Sequence, residues 1–404
     1  MTPEAVAEVH RLLGPKLCWR ALLREAHRHS VLLLLQRNLK LHFWSDVPAQ
    51  VRDPLTASCR LSQQRNLALT AELVRIVETL ETAGIAAIPF KGPVLSITAY
   101  GNPALRSFAD LDILIHEKDL TRARQVLVGQ GYVPAFSLTA REERAYRKEE
   151  CALQFRHAER NTVLELHWHL TERYLAIELP IASWRQNSRP LLLAGRTVRT
   201  FAPEDLFLYL CVHAGKHKWE RLEWLSSIAA VMEANPGLPW DVIARRATRY
   251  GIDRLVQVTL LLTNQLLRTP LPAPYRNADR DRAAGELVKE VVSTLFTSQE
   301  SVLRDRANWY LFLLRTRERW FDKARIAAFS SLRMPHPEAR QSTALPPALA
   351  FLHYVFRPAR LAHSLVRLAC RRLFTERTPR TPESARRLAG SGSPQNVSEA
   401  KLAS

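Results

Sequence analysis

Between Phe108 and Ile115 an apolar run is broken twice, by Asp110 and by Asp112. Such a run reads as a strand, and residues two apart on a strand share a face, so both carboxylates point one way while Leu111 and Ile113 face the opposite layer. Two like charges held this close are costly in a folded protein unless a cation sits between them. An isolated Asp-x-Asp pair is usually a loop or a strand end, so its surroundings decide.

About fifty residues on, Thr162 to Leu170 alternates, with Glu165, His167 and His169 on one face and Leu164, Leu166, Trp168 and Leu170 on the other. A third carboxylate on a neighbouring strand completes an oxygen-rich site of the kind magnesium or manganese prefers. His167, one strand repeat beyond Glu165, is placed to contact substrate or to accept a proton. A histidine on a strand is more often a hydrogen-bonded structural residue.

Upstream, Gly84 ends a helix and Ile85 to Phe90 forms a short buried strand. Lys91-Gly92-Pro93 then turns the chain into a helix carrying Leu95, Ile97 and Tyr100. Amides at a helix N-terminus favour phosphate, and a glycine lets an anion approach closely. The loop after Gly101-Asn102-Pro103 brings Arg106 towards the aspartates, to neutralise a triphosphate or to pair with Asp110. Further on, Asp119 is a plausible N-cap for a helix over Leu120 to Leu127, Glu159-Arg160-Asn161 turns an antiparallel pair, and Ala194-Gly195 turns another.

The order apolar-Lys-Gly, Asp-x-Asp, apolar-Glu-apolar, together with Tyr100, Arg106, Gly131-Tyr132, Leu166-His167-Trp168 and His213 to Leu225, resembles a bacterial family of uncharacterised nucleotidyltransferases within the DNA polymerase beta-type superfamily. The likeness covers roughly residues 60 to 235. It implies an α+β fold, a nucleotidyltransferase-type mixed sheet with flanking helices, embedded between N-terminal and C-terminal helical regions. It implies that Asp110, Asp112 and Glu165 are catalytic and hold Mg2+ or Mn2+, and that Lys91, Gly92 and Arg106 bind the nucleotide. The reaction implied moves an NMP from an NTP to a hydroxyl acceptor (a sugar, small molecule, peptide or tRNA) with release of pyrophosphate. A helical layer closes over the sheet, with His213, Lys216 and His217 as possible substrate contacts.

Two departures stand out. The superfamily usually has Gly-Ser or Gly-Gly in the phosphate turn, and Lys91 supplies charge where the serine hydroxyl would hydrogen-bond. Trp224-Leu225 is followed by Ser226-Ser227, where the family's helical motif often carries an aspartate, which implies that a polar contact is missing there. His213 and His217 have a spacing that can ligate zinc, but no third ligand or following glutamate is evident, so packing or phosphate contact is the preferred role.

The formal charge of +19 and pI near 10.3 suit an anionic partner, although arginine-rich surfaces also arise without one. Five scattered cysteines without a Cys-x-x-Cys pair indicate neither zinc site nor disulfide framework and fit a reducing cytoplasm. No signal pattern opens the chain and no apolar run there spans a bilayer, so the expectation is a cytoplasmic protein without a transmembrane segment. The expected division is an N-terminal helical region (1–83), a catalytic domain (84–202), a C-terminal helical domain (203–335), a basic amphipathic segment (336–374) and a disordered tail (375–404). The stretch 345–373 interleaves arginines with apolar residues and suits peripheral contact with an anionic inner membrane. A competing reading, from another class, is a non-catalytic scaffold of the same fold that binds an anionic partner or membrane surface. The joint presence of three carboxylates at usable spacing favours the enzyme.

Overall fold

The computed structural model describes residues 3–297 and 306–332. Helices α1 (Pro3–Leu12), α2 (Trp19–Arg28), α3 (Leu32–His42) and α4 (Ala49–Thr82) open the chain. Leu33, Leu39, Phe43, Leu55 and Cys59 close a small core between them. At a rise of about 1.5 Å per residue, α4 runs on the order of 50 Å, long enough to serve two cores. Its second half, Leu69, Leu73, Ile76 and Leu80, packs on the sheet, so the packing of that layer begins before residue 84.

The sheet region follows as β1 (Ile88–Pro89), α5 (Gly92–Tyr100), β2 (Asp110–Leu114), α6 (Leu120–Gly129), β3 (Val133–Pro134), α7 (Ala140–Glu149), β4 (Ala152–His157), β5 (Thr162–His167) and α8 (Ile181–Gln186). A separate hairpin joins β6 (Arg189–Leu193) to β7 (Arg196–Thr200) through Ala194 and Gly195, both at positive φ as a tight hairpin turn requires. The five-stranded sheet has the order β1-β2-β5-β4-β3. Only β2 and β5 run parallel, so the sheet is mixed, and the long crossover that a parallel pair needs is supplied by α6, β3, α7 and β4. Their register sets Asp112 beside Glu165 and Leu114 beside His167.

Each face of the sheet has its own core. Leu111, Ile113, Leu164, Leu166 and Trp168 pack with α4 and α6. Leu114, on the acidic face, packs instead with Phe90 and the helical layer formed by α9 (Pro203–Lys216), α10 (Leu222–Ala234), α11 (Trp240–Tyr250) and α12 (Asp253–Leu267). Helices α13 (Arg282–Leu295), α14 (Arg306–Arg315) and α15 (Trp320–Leu332) extend that layer. Pro203 at the first helical position and Glu204 and Asp205 in the first turn start α9 as expected. Gly215 lets α12 approach α9 so closely that a Cβ there would run into Leu255.

Three local expectations change. Asp119 does not cap α6: it sits in a 3-10 turn with helical backbone angles and makes no side-chain capping bond. The alternation of β5 ends at His167, so His169 turns outward beside Glu117, and Leu170 joins the core of the helical layer. Glutamate 142, by contrast, completes a capping box with Thr139 at the start of α7. Among the described residues no helix is long and apolar enough to cross a membrane, and Cys18, Cys59, Cys151 and Cys211 are all free thiols. The basic segment 336–374, the membrane contact expected over 345–373 and the tail 375–404 lie outside the described residues.

Candidate active site

The parallel pairing of β2 and β5 brings Asp112 and Glu165 side by side, and strand alternation adds Asp110 and His167 to the same face. His167 Nε2 lies 3.1 Å from Asp112 Oδ1 and 3.3 Å from Glu165 Oε2. Lys91, in the turn between β1 and α5, reaches across to place Nζ 2.6 Å from the same Asp112 oxygen. Asp112 therefore holds two cations on Oδ1, while its buried Oδ2 has no hydrogen-bond partner.

The electrostatics follow from this packing. Asp112 is 1% exposed, and burial alone would raise its pKa, but Lys91 and His167 together hold its carboxyl well below the usual range. The hydrogen bond from His167 lowers Glu165 in the same way. Although burial disfavours its charge, His167 is pushed well above its ordinary value by Asp112, Cys151 and Glu165, and Lys91 is raised by Asp112 and the neighbouring charges. These contacts favour the charged form of His167 and match the hydrogen-bonded structural role that a strand histidine more often has. Asp110 lacks such partners, and burial followed by the charge of Asp112 pushes its carboxyl up to about 6.

That shift carries a stability cost with a definite sign. Between its unfolded value of 3.8 and about 6, the folded protein binds the proton more tightly, so the metal-free protein loses stability as pH rises through that window. Asp110→Asn is accordingly expected to stabilise the metal-free protein at pH 7 by roughly 1–3 kcal/mol and to give no gain near pH 4. Thermal melts in chelator at the two pH values measure the difference.

The acidic face opens on a cavity of about 470 Å3 whose walls include Asp110, Glu165, His167, Lys91 and, from α9, Tyr209 and His213. Lys216 and His217 lie on the same α9 wall, with Glu172 and Cys151 across from them. Lys216 is paired with Glu172. His213 stacks on Tyr209 with ring centres 5.9 Å apart and meets His217 edge-on at 4.9 Å. Burial and the nearby lysines hold His213 well below its ordinary pKa and bring His217 down to about 4. In the ligand-free protein both rings thus favour the neutral form, in which they can stack and share hydrogen bonds.

Gly92 sits at φ +54°, and a Cβ there would lie 3.2 Å from the Asp110 carbonyl oxygen. Only glycine fits so close a crossing of α5 over the start of β2. Gly92→Ala should cost about 1–2 kcal/mol in left-handed backbone strain, read as a lower urea midpoint. Pro93 brings no N–H, which leaves the turn fewer amides for an anion.

The sequence profile of a family described as uncharacterised nucleotidyltransferase matches residues 15–268, well over half of the chain. The chain belongs to this family. No curated protein matches the sequence of this nucleotidyltransferase. Among solved structures, it is similar to ANT(2'')-Ia in complex with adenylyl-2''-tobramycin, at 12% identity over 45% of this chain and 98% of that one, with a TM-score of 0.34. A solution structure of the antibiotic-resistance factor ANT(2'')-Ia is similar at 15% identity over 44% and 91%, TM-score 0.32. An antigenic nucleotidyltransferase-like protein from Paracoccidioides brasiliensis is similar at 15% identity over 47% and 92%, TM-score 0.28.

In this nucleotidyltransferase, Asp112, Glu165 and His167 form the one set among the described residues whose ligand atoms lie within 4.8 Å of one another. Asp110, expected to share an ion with Asp112, stands outside that set but on the cavity wall. The buried, unpartnered oxygen of Asp112 and the carboxylates of Asp110 and Glu165 on the cavity wall fit a hard divalent cation, whose preferred ligands are oxygens.

Arg106 forms its buried ion pair with Glu223 of α10 instead of Asp110. Asn66 of α4 donates to its backbone carbonyl at 2.7 Å. Ser227 also donates to the Glu223 carboxylate at 2.8 Å. Sequence reasoning missed Tyr209, Glu172 and Glu223. Glu223 directly precedes Trp224-Leu225, inside the stretch His213 to Leu225 already singled out; nothing local marks the other two.

Proposed function

We propose that the protein transfers a nucleotidyl group from an NTP to a hydroxyl acceptor, with release of pyrophosphate. Asp110, Asp112 and Glu165 hold magnesium or manganese, and the turn at Lys91-Gly92 receives the phosphates. The observation that carries this reading is the register of β2 against β5, which gathers three carboxylates on one sheet face at the edge of a substrate-sized cavity.

A divalent cation bound there supplies charge that stabilises the attacking and leaving oxygens of an in-line displacement at the α-phosphorus. The chain's own residues do the rest. Lys91 and His167 keep Asp112 ionised and fixed in direction. Asp110, on the same sheet face and on the cavity wall, adds a further carboxylate to the set that would hold the cation. The α9 wall, with Tyr209 and His213, lines the same cavity as the carboxylates and bounds the space left for the substrates.

Transfer of label from α-labelled NTPs tests the reaction itself, with polyhydroxylated amines, sugars, tRNA and hydroxyl-bearing peptides offered as acceptors. Label should move to one of these classes with magnesium, and should stay on the nucleotide in the Glu165→Gln protein. Equal transfer by the variant would overturn the assignment.

A further inference from the structure

Lys91 has the position of a phosphate-binding residue and the contacts of something else. Its ammonium lies 2.6 Å from Asp112 Oδ1, and its side chain is only 11% exposed. It is also held 5.8 Å from the ring centres of both Phe90 and Tyr209, which leaves it little freedom to swing out. Asp112 itself is absent from the cavity wall, whereas Lys91 and His167 line it and stand in front of the carboxylate.

Resting on the nucleotidyltransferase reading above, we propose that the Lys91 ammonium takes the place of one of the two divalent cations that a trio of carboxylates would otherwise gather, so that the site works with a single ion. Two-metal centres set their ions about 3.5–4 Å apart on a shared carboxylate. In this site one oxygen of Asp112, the natural bridging group, is already engaged by Lys91 and His167, and only Oδ2 is without a partner. A second ion would have to take the same lone pairs and repel a fixed ammonium at close range. It would also strand Lys91 as an unpaired buried cation, a state proteins avoid. A single ion, bound through the open oxygens of the cluster, leaves that arrangement undisturbed. The role is electrostatic and positional: Lys91 neutralises and orients Asp112 without exchanging with solvent.

Manganese counted by electron paramagnetic resonance on the full chain, with inorganic tripolyphosphate standing in for the donor phosphates, tests this directly. Wild type and Lys91→Arg should each bind a single ion with an isolated-ion spectrum. Lys91→Met, similar in volume but uncharged, should gain a second ion and the signature of a spin-coupled pair. Should Lys91→Met fail to fold, as circular dichroism would reveal, Lys91→Gln, uncharged but polar, takes its place in the count with the same expected gain of a second ion. Two ions in wild type would overturn the inference and leave the nucleotidyltransferase reading standing. A single ion in a folded Lys91→Met would overturn it as well, since the lysine would not then be the reason. No ion in any of the proteins would overturn both.

Discussion

The Asp112→Asn protein should lose nucleotidyl transfer by at least about 10²–10³-fold, the scale of removing one preorganised electrostatic group from an active site. It should also lose about 3–5 kcal/mol of stability, because Lys91 and His167 both lean on Asp112 and a buried cation without its partner is strongly unfavourable. The amide keeps the shape of the carboxylate, so the losses report charge and not packing. Urea unfolding and label transfer on the same preparation measure the two effects. Glu165→Gln separates them: its side chain is 30% exposed, so transfer should fall on a similar scale while stability changes by less than about 1 kcal/mol.

A comparable loss is expected at a second buried ion pair. Arg106 and Glu223 are 9% and 5% exposed and join the loop before β2 to α10. Removing either partner alone, by Arg106→Ala or Glu223→Ala, should cost about 3–5 kcal/mol, because the other charge stays buried without compensation. Replacing both together with Met and Leu should cost much less, and the double-mutant cycle should show strong coupling. Additive single effects in urea unfolding would contradict the pairing. Because the same ion pair ties the loop leading into β2 to the helical layer, the single variants should also transfer label more slowly than the paired replacement does.

The contrast between these residues explains what the sequence could reveal. Strand periodicity is local, so two aspartates at i and i+2 declare a shared face, and Glu165 inside its own alternation does the same. The parallel register that sets Glu165 beside Asp112 depends on the length of the intervening crossover, and short-range pattern does not encode it. Electrostatics depends still more on tertiary contacts. The face of His167 was legible, but its two carboxylate partners, one of them on another strand, were not. The i, i+4 spacing of His213 and His217 made a shared helix face legible, whereas the burial that lowers both pKa values depends on how the helical layer packs. Lys91 and Arg106 were visible as cations near the right turn. Their destinations, Asp112 and Glu223, follow from how α5 and α10 pack, which depends on side-chain volumes along the whole layer.

The central claim is that the face shared by Asp110, Asp112 and Glu165 binds a metal–nucleotide complex. Calorimetric titration of each of the four NTPs into the wild-type protein, with magnesium and with chelator, and then into Glu165→Gln, tests it most directly. The account predicts metal-dependent binding of at least one NTP that weakens at least about 10-fold in the variant. Binding that is indifferent to both magnesium and Glu165, or no binding of any NTP, would contradict it.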